Sequence, residues 1–408
     1  MATDPRRAVE AVWRIESAKI VAALARLVGD VGLAEELAQD TFVIALEQWP
    51  ERGVPEHPGS WLMATAKHRA IDLLRRQRTY RDKLDEVGRA TPQAEDRDLA
   101  AELDDYVGDD LLRLIFTTCH PVLSAQARVA LTLRLLGGLG TDEIARAFLV
   151  PEATVGQRIL RAKRTLAEKR VPIELPLPGE AAQRLASVLE VVYLIFNEGY
   201  AATAGDDWTR PALCEEALRL GRVLAALAPQ EPEVHGLVAL MELQASRIPA
   251  RTDPDGAPVL LQDQDRRRWD RLLIRRGLDA LARAGGTLGP YVLQAEIAAC
   301  HARAATAAQT DWDRIATLYD VLAYVWPSPV VELNRAVAVA HARGPEQGLR
   351  IVDALSLPGY ALLPAVRGDL LARLGRAAEA RAEFTRAAAL TRNARERDLF
   401  QARADALA

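Results

Sequence analysis

The side chains best suited to chemistry in this chain are basic, and they gather in two helical-pattern segments. The run TDEIARAFLVPEATVGQRILRAKRTLAEKR, Thr141 to Arg170, reads as helix, turn, helix. Thr141 is placed to cap a helix that turns Ile144, Ala145 and Phe148 inward. Leu149-Val150-Pro151 makes the turn, and Thr154-Val155 opens a second helix with Ile159 and Leu166 toward the core. That phase leaves Gln157, Arg158, Arg161, Lys163 and Arg164 outward. Gln and Arg pair two-pronged with adenine and guanine edges in the major groove. In this motif the start of the second helix meets bases, while later arginines and lysines hold phosphates. From Glu152 to Arg170 there are six basic and two acidic residues. A merely solvated basic face is the bland alternative; the upstream TDEIA and V-P-x-x-T-V pattern argues against it.

The other segment is SWLMATAKHRAIDLLRRQRTYRDK, Ser60 to Lys83. Lys67, Arg69, Arg75, Arg76, Arg78, Arg81 and Lys83 outnumber Asp72 and Asp82, and Trp61 heads the run beside the loop PERGVPEHPG. An aromatic ring next to arginines suits unpaired or melting DNA, where bases stack on rings and guanidinium planes. Packing in the core is the equal alternative for Trp61. Two such segments on one chain point to a protein that grips two separate stretches of DNA.

The elements that must carry these groups are helical. Ala, Leu, Arg and Glu dominate, aromatics are 5%, and no stretch alternates with period two for long,. Helices are expected over 5–28, closed by Gly29, and over 31–49, ending before Pro50, with Ser60 as the cap of the next,. In the first, Val9, Val12, Trp13, Ile15, Ile20, Leu24 and Leu27 form the apolar face. In the second, Leu37, Val43, Ile44 and Leu46 read as core, and Glu35, Glu36, Gln39 and Asp40 as a polar ridge.

At 408 residues the chain exceeds one ordinary core,. The expected division is 1–80, an acidic linker over 81–108, 109–170, a proline-stiffened linker over 171–180, and an all-helical domain over 181–408. Breaks in that last domain are expected at 204–211, 228–232, 249–258, 284–290, 326–329, 343–345 and 357–359. Its end carries a hairpin rhythm: Gly344 and Gly375 lie 31 residues apart, near the tetratricopeptide period of about 34,.

The net charge is −4, so a nucleic-acid surface must be local,. Cys119, Cys214 and Cys300 are far apart, with no CxxC, which fits a reducing cytoplasm without a disulfide framework,. No signal peptide or membrane span is expected. No metal site, cofactor or catalytic residue is expected either, since the chain has no GxxxxGK, HExxH or GxSxG,. Asn197-Glu198-Gly199-Tyr200, and Asp263, Asp265 and Arg266 near Trp269, are polar groups in apolar surroundings. Hydrogen-bonded networks that fix the fold are the expected reason.

Residues 1–170 resemble a sigma-70-family RNA polymerase initiation factor of the extracytoplasmic-function type. EELAQDTF resembles the polymerase-binding helix of region 2, HPGSWLMATAKHRAIDLLRRQR the −10 reader, and TDEIARAFLVPEATVGQRILRAKRTL the −35 reader of region 4. LIFNEGYAAT, DQDRRRWDRLLI, TDWDRIATLYD and SPVVELNRAVAVA resemble the long C-terminal extension of one subgroup. The resemblance implies an all-α protein: a region 2 helical bundle, a region 4 helix-turn-helix and a helical-repeat (TPR-like) domain. It implies promoter DNA and core RNA polymerase, through its beta-prime clamp helices and beta flap, as partners. It assigns Glu35, Glu36, Gln39, Asp40 and Phe42 to the polymerase. Trp61, Lys67, His68, Arg69, Asp72, Arg75, Arg76 and Arg78 go to the −10 element. Thr154, Gln157, Arg158, Arg161, Lys163 and Arg164 go to the −35 element. His68 stands where family members often carry Asn. The C-terminal domain is expected to regulate the DNA-reading half through an intramolecular contact. The rival is a helix-turn-helix regulator with a helical-repeat sensor, which gives no reason for EELAQDTF.

Overall fold

The computed structural model describes residues 5–86 and 107–407. It divides into two units, residues 1–191 and 192–408. In the first lie α1 (Pro5–Val28), α2 (Val31–Arg52), α3 (Pro58–Glu86), α4 (Val107–Thr118), α5 (Ala125–Leu135), α6 (Thr141–Phe148), α7 (Glu152–Glu168) and the first half of α8 (Pro178–Tyr200). In the second lie α9 (Pro211–Leu227), α10 (Pro232–Ala245), α11 (Arg271–Arg283), α12 (Pro290–Arg303), α13 (Trp312–Val325), α14 (Pro329–Arg343), α15 (Pro345–Asp353), α16 (Leu362–Arg373), α17 (Ala377–Leu390) and α18 (Ala394–Asp405). Two dipeptides, β1 (Ala204–Gly205) and β2 (Arg392–Asn393), pair in parallel. The protein is all-α.

Eight of these eighteen helices begin at proline. Proline has no N–H to leave unsatisfied in a first turn, and its fixed φ is already helical. This preference moves several expected boundaries. Ser60 is not a cap: Pro58 starts α3, so Ser60 lies inside its first turn. The 171–180 linker ends early because Pro178 starts α8. Pro50 does not end α2, which continues to Arg52 and closes on Gly53 at φ +83°. The helix-turn-helix cap is Gly140 rather than Thr141, with the Glu143 carboxylate accepting from the Gly140 N–H. The 81–108 linker is shorter at both ends, since α3 reaches Glu86 and α4 begins at Val107; residues 87–106 lie outside the described ones.

In the first unit α1 is the central strut. Val9, Ile20 and Leu24 are wholly buried, but Ile15 is 67% exposed, and Val43 on α2 is 50% exposed rather than core. In the second unit α10 is buried almost all round, with Val234, Leu237, Ala239 and Met241 fully enclosed. Beyond it each helix packs on the next in short-linked hairpins. The turn glycines Gly344 and Gly375 join α14 to α15 and α16 to α17 at φ +101° and +75°, where any side chain would be strained,. Leu333, Leu349, Leu370 and Phe384 form the core between those hairpins.

The expected polar networks are present in part. Glu198 pairs with Arg210, whose other nitrogen donates to the Ala204 carbonyl. Tyr200 lies under Arg251, 3.7 Å from guanidinium carbon to ring centre. Asn393, 1% exposed, donates to the carbonyls of Ala202 and Asp207. Asp263 and Asp265, by contrast, are exposed; only Arg266 of that trio is buried. Aspartates stay in water unless a partner offsets desolvation, and Asp265 finds its partner in exposed Arg267.

Candidate nucleic-acid interface

Three helices carry the groups in question. On α7, Val155, Ile159, Ala162 and Leu166 recur at helical spacing and face inward. This phase leaves Gln157, Arg161 and Arg164 exposed, with Thr154 and Arg158 half-buried at the same edge. Leu149, in the turn before, adopts φ +49°, the left-handed conformation that sets α6 and α7 at an angle,. None of Gln157, Arg158, Arg161 and Arg164 makes an ion pair among the described residues. The first four turns of α7 thus present one amide and three guanidinium groups to solvent, a surface that fits phosphates and purine edges,.

Lys163 departs from that pattern. Its position is outward by periodicity, yet its ammonium pairs with the Glu35 carboxylate of α2. Arg134 of α5 holds the other oxygen of Glu35 at 2.7 Å, and Gln39 donates to it as well at 2.7 Å. Glu35 is 5% exposed. It is therefore no member of an open ridge; it is a buried anion held by two cations. A buried carboxylate is stable only with such compensation. Two more pairs tie α1 to α4 and α6: Arg26 with Asp110 at 2.8 Å, and Arg14 with Glu143 at 3.5 Å. A cavity of about 320 Å³ remains between α1, α2 and α5, lined by Trp13, Ser17, Gln39, Phe42 and Arg134.

The rest of the α2 ridge is open. Glu36, Gln39 and Asp40 are exposed, and Phe42 is half-buried with its ring 4.9 Å from that of Trp13. Asp40 pairs with Arg69 of α3, so a candidate polymerase contact and a candidate −10 contact neutralise each other. On α3 His68, Asp72, Arg75 and Arg76 are exposed and Lys67 is half-buried; the side chain of Arg78 lies outside the described ones. Trp61 takes the packing alternative in part: half-buried, it meets buried Trp49 edge-on at 5.6 Å, while Leu62 is fully enclosed.

One functional-looking contact had no signal in the sequence. The first half of α8 seats on α4 and α5. Arg184 donates to the Phe116 carbonyl at 2.8 Å, Ser187 to the Cys119 carbonyl at 2.6 Å, and Arg128 pairs with Glu190 at 3.0 Å. These carbonyls end α4 and have no intrahelical donor. Among the described residues there is no cluster that would hold a metal ion, and no helix is long and apolar enough to cross a membrane.

Comparison with known proteins agrees with this geometry. Residues 15–80 match the family model for sigma-70 region 2, residues 113–166 that for sigma-70 region 4, and residues 184–285 a family of unknown function (DUF6596). An uncharacterised protein of Rhizobium meliloti is 45% identical over 391 residues, 95% of this chain and 92% of the relative. The ECF RNA polymerase sigma factor SigC of Mycobacterium tuberculosis is 31% identical over 150 residues, 36% of this chain and 75% of the relative. The probable ECF RNA polymerase sigma factor SigI of the same organism is 28% identical over 168 residues, 40% of this chain and 56% of the relative. No solved structure matches the chain.

Proposed function

The chain belongs to the sigma-70 family of RNA polymerase initiation factors, extracytoplasmic-function type, and from that premise we propose that it carries core polymerase to promoters whose −35 and −10 elements it reads with α7 and α3. It catalyses nothing itself. The observation that carries this is the open face of α7, where Gln157, Arg158, Arg161 and Arg164 stand without ion-pair partners among the described residues on the second helix of a helix-turn-helix. The exposed part of α2, Glu36, Gln39 and Asp40 with Phe42 beside them, is the proposed seat of the beta-prime clamp helices, and region 4 that of the beta flap.

The Glu35 cluster gives this reading a second feature. Lys163 and Glu35 occupy each other, so α7 cannot use Lys163 on phosphate while Glu35 stays buried. We propose that polymerase and promoter engage an open form in which α5 and α7 have left α2, and that the Glu35–Arg134–Lys163 cluster latches the closed one. The helices of the C-terminal unit act on this equilibrium in cis. Support comes from α8, whose first half is fastened to α4 and α5 and which continues past Val192.

The test is assembly. Full-length protein and core polymerase should co-elute in gel filtration, and Gln39→Ala with Asp40→Ala should weaken the complex at least tenfold. Failure to co-elute, or an unaltered complex with the double variant, overturns the assignment of α2.

A further inference from the structure

We propose that the cavity enclosed by Arg266, His301, Thr310, Trp312, His341 and Gln262 in the C-terminal unit binds a small planar carboxylate. The cavity has a volume of about 340 Å³, within the range of small-molecule sites. It opens where α12 ends and α13 begins, against His341 of α14.

Its wall is flat and aromatic. Trp312 stacks on His341, centroids 4.0 Å apart and planes 13° from parallel, and His301 meets Trp312 edge-on at 5.3 Å. Its charge is positive, offset in part by the Trp269 ring 4.9 Å from the Arg266 guanidinium carbon,. Arg266 is 7% exposed. Nη1 donates to the carbonyls of His301 and Ala304 at 2.7 Å each, and Nη2 to the Thr310 hydroxyl at 2.9 Å. All three acceptors are neutral. Its Nε–H and the Nδ1 of His301 meet no partner among the described residues. Among the described residues no carboxylate pairs with Arg266 or with Arg247, which is 8% exposed; burial, and then Arg247, depresses the Arg266 pKa.

Capping the last carbonyls of α12 explains Nη1. It explains neither a buried cation that meets no carboxylate among the described residues, a costly arrangement even with an aromatic ring beside it,, nor the space in front of it. Burial, helped by Arg247 and Arg266, lowers the His301 pKa to about 3, and burial lowers that of His341 too. Both rings are therefore neutral near pH 7. A guanidinium and two neutral imidazoles around a flat slot suit one negative charge on a flat body; planar carboxylate matches the planar fork of arginine.

Sodium benzoate is the probe, with benzamide as its neutral isostere and inorganic phosphate at equal ionic strength as the ion control. With full-length protein, benzoate is expected to give a saturable rise in melting temperature of about 3 °C at tenfold excess over its dissociation constant, with a change in tryptophan emission. Benzamide and phosphate should give less than a third of that rise. Gln262 is exposed at the mouth and hydrogen-bonds His341; Gln262→Glu adds a repelling charge without disturbing the core and should weaken benzoate at least tenfold. No rise with benzoate, an equal rise with benzamide or phosphate, or undiminished binding by the variant overturns the proposal.

Discussion

On α7 the side chains that would meet bases and those that would hold phosphate separate along the helix, so single substitutions should separate too. Gln157→Ala or Arg158→Ala is expected to relax preference at one base position by about 1–3 kcal/mol. Arg164→Ala, two turns further on, should weaken all sequences alike and reduce the salt dependence of binding by roughly one unit of slope. Selection from randomised −35 elements checks this; identical sequence preferences for wild type and the Gln157 and Arg158 variants would contradict it. A second residue-scale expectation concerns pH. His301 titrates at about 3 in the folded protein against an ordinary 6.5. The unfolded chain therefore holds the extra proton between those values. The contribution is complete above pH 6.5 and is lost as pH falls toward 3, by up to about 1.4 kcal/mol per pH unit. Comparing wild type with His301→Gln between pH 4 and 7 isolates it from carboxylates such as Glu233, which burial shifts upward. Parallel stability curves would refute the assignment.

At the scale of elements, the Glu35 cluster makes the sharpest claim. Arg134 has no proposed contact with DNA or polymerase; besides Glu35 it holds only the Leu139 carbonyl at 3.2 Å among the described residues, so Arg134→Gln tests the latch without touching the proposed DNA or polymerase contacts. With one cation gone, Glu35 is left partly uncompensated, and the form with α5 and α7 on α2 should lose on the order of 3 kcal/mol. Affinity of the free protein for duplex −35 DNA should then rise at least tenfold, with a larger distance between labels on α2 and α7; unchanged affinity and distance would remove the latch. Much of the element pattern was legible in the chain. Gly29, Gly344 and Gly375 sit where helices end, and the phase of Val155, Ile159 and Leu166 put Gln157, Arg161 and Arg164 outward as expected. What could not be read is long-range. Arg134 lies 99 residues from Glu35, and nothing local distinguishes a carboxylate that will be buried from its exposed neighbour Glu36. Lys163 went astray for the same reason. The boundaries at Ser60 and Pro50 differ for local reasons: proline at a first turn favours the helix start at Pro58, and α2 runs two residues past Pro50 although proline there removes a helix hydrogen bond,. Ala307–Gln309 and the two-residue pairing of β1 with β2 left no periodic signal at all.

Taken whole, the molecule joins two helices proposed to read DNA and one proposed to face polymerase to a C-terminal unit of helices. The segment between Val171 and Leu177 joins α7 to α8, which continues into the second unit; by the proposed in-cis regulation this join keeps the C-terminal helices at high effective concentration, so the effect should depend on covalent continuity. A protease site placed there is expected to alter promoter-specific transcription several-fold once the cut protein is diluted; unchanged yield would assign the C-terminal half to an outside partner. The claim on which the rest depends is that this chain gives core polymerase its promoter choice. The most direct measurement is transcription by core polymerase from a randomised promoter library, with full-length protein present or absent, read by sequencing the transcripts. Transcripts should appear only with the protein and share two motifs at fixed spacing, near −35 and −10, with Gln157→Ala changing the upstream motif alone. If the protein binds duplex DNA by itself yet yields no such transcripts with core polymerase, it acts as a helix-turn-helix regulator and does not direct initiation.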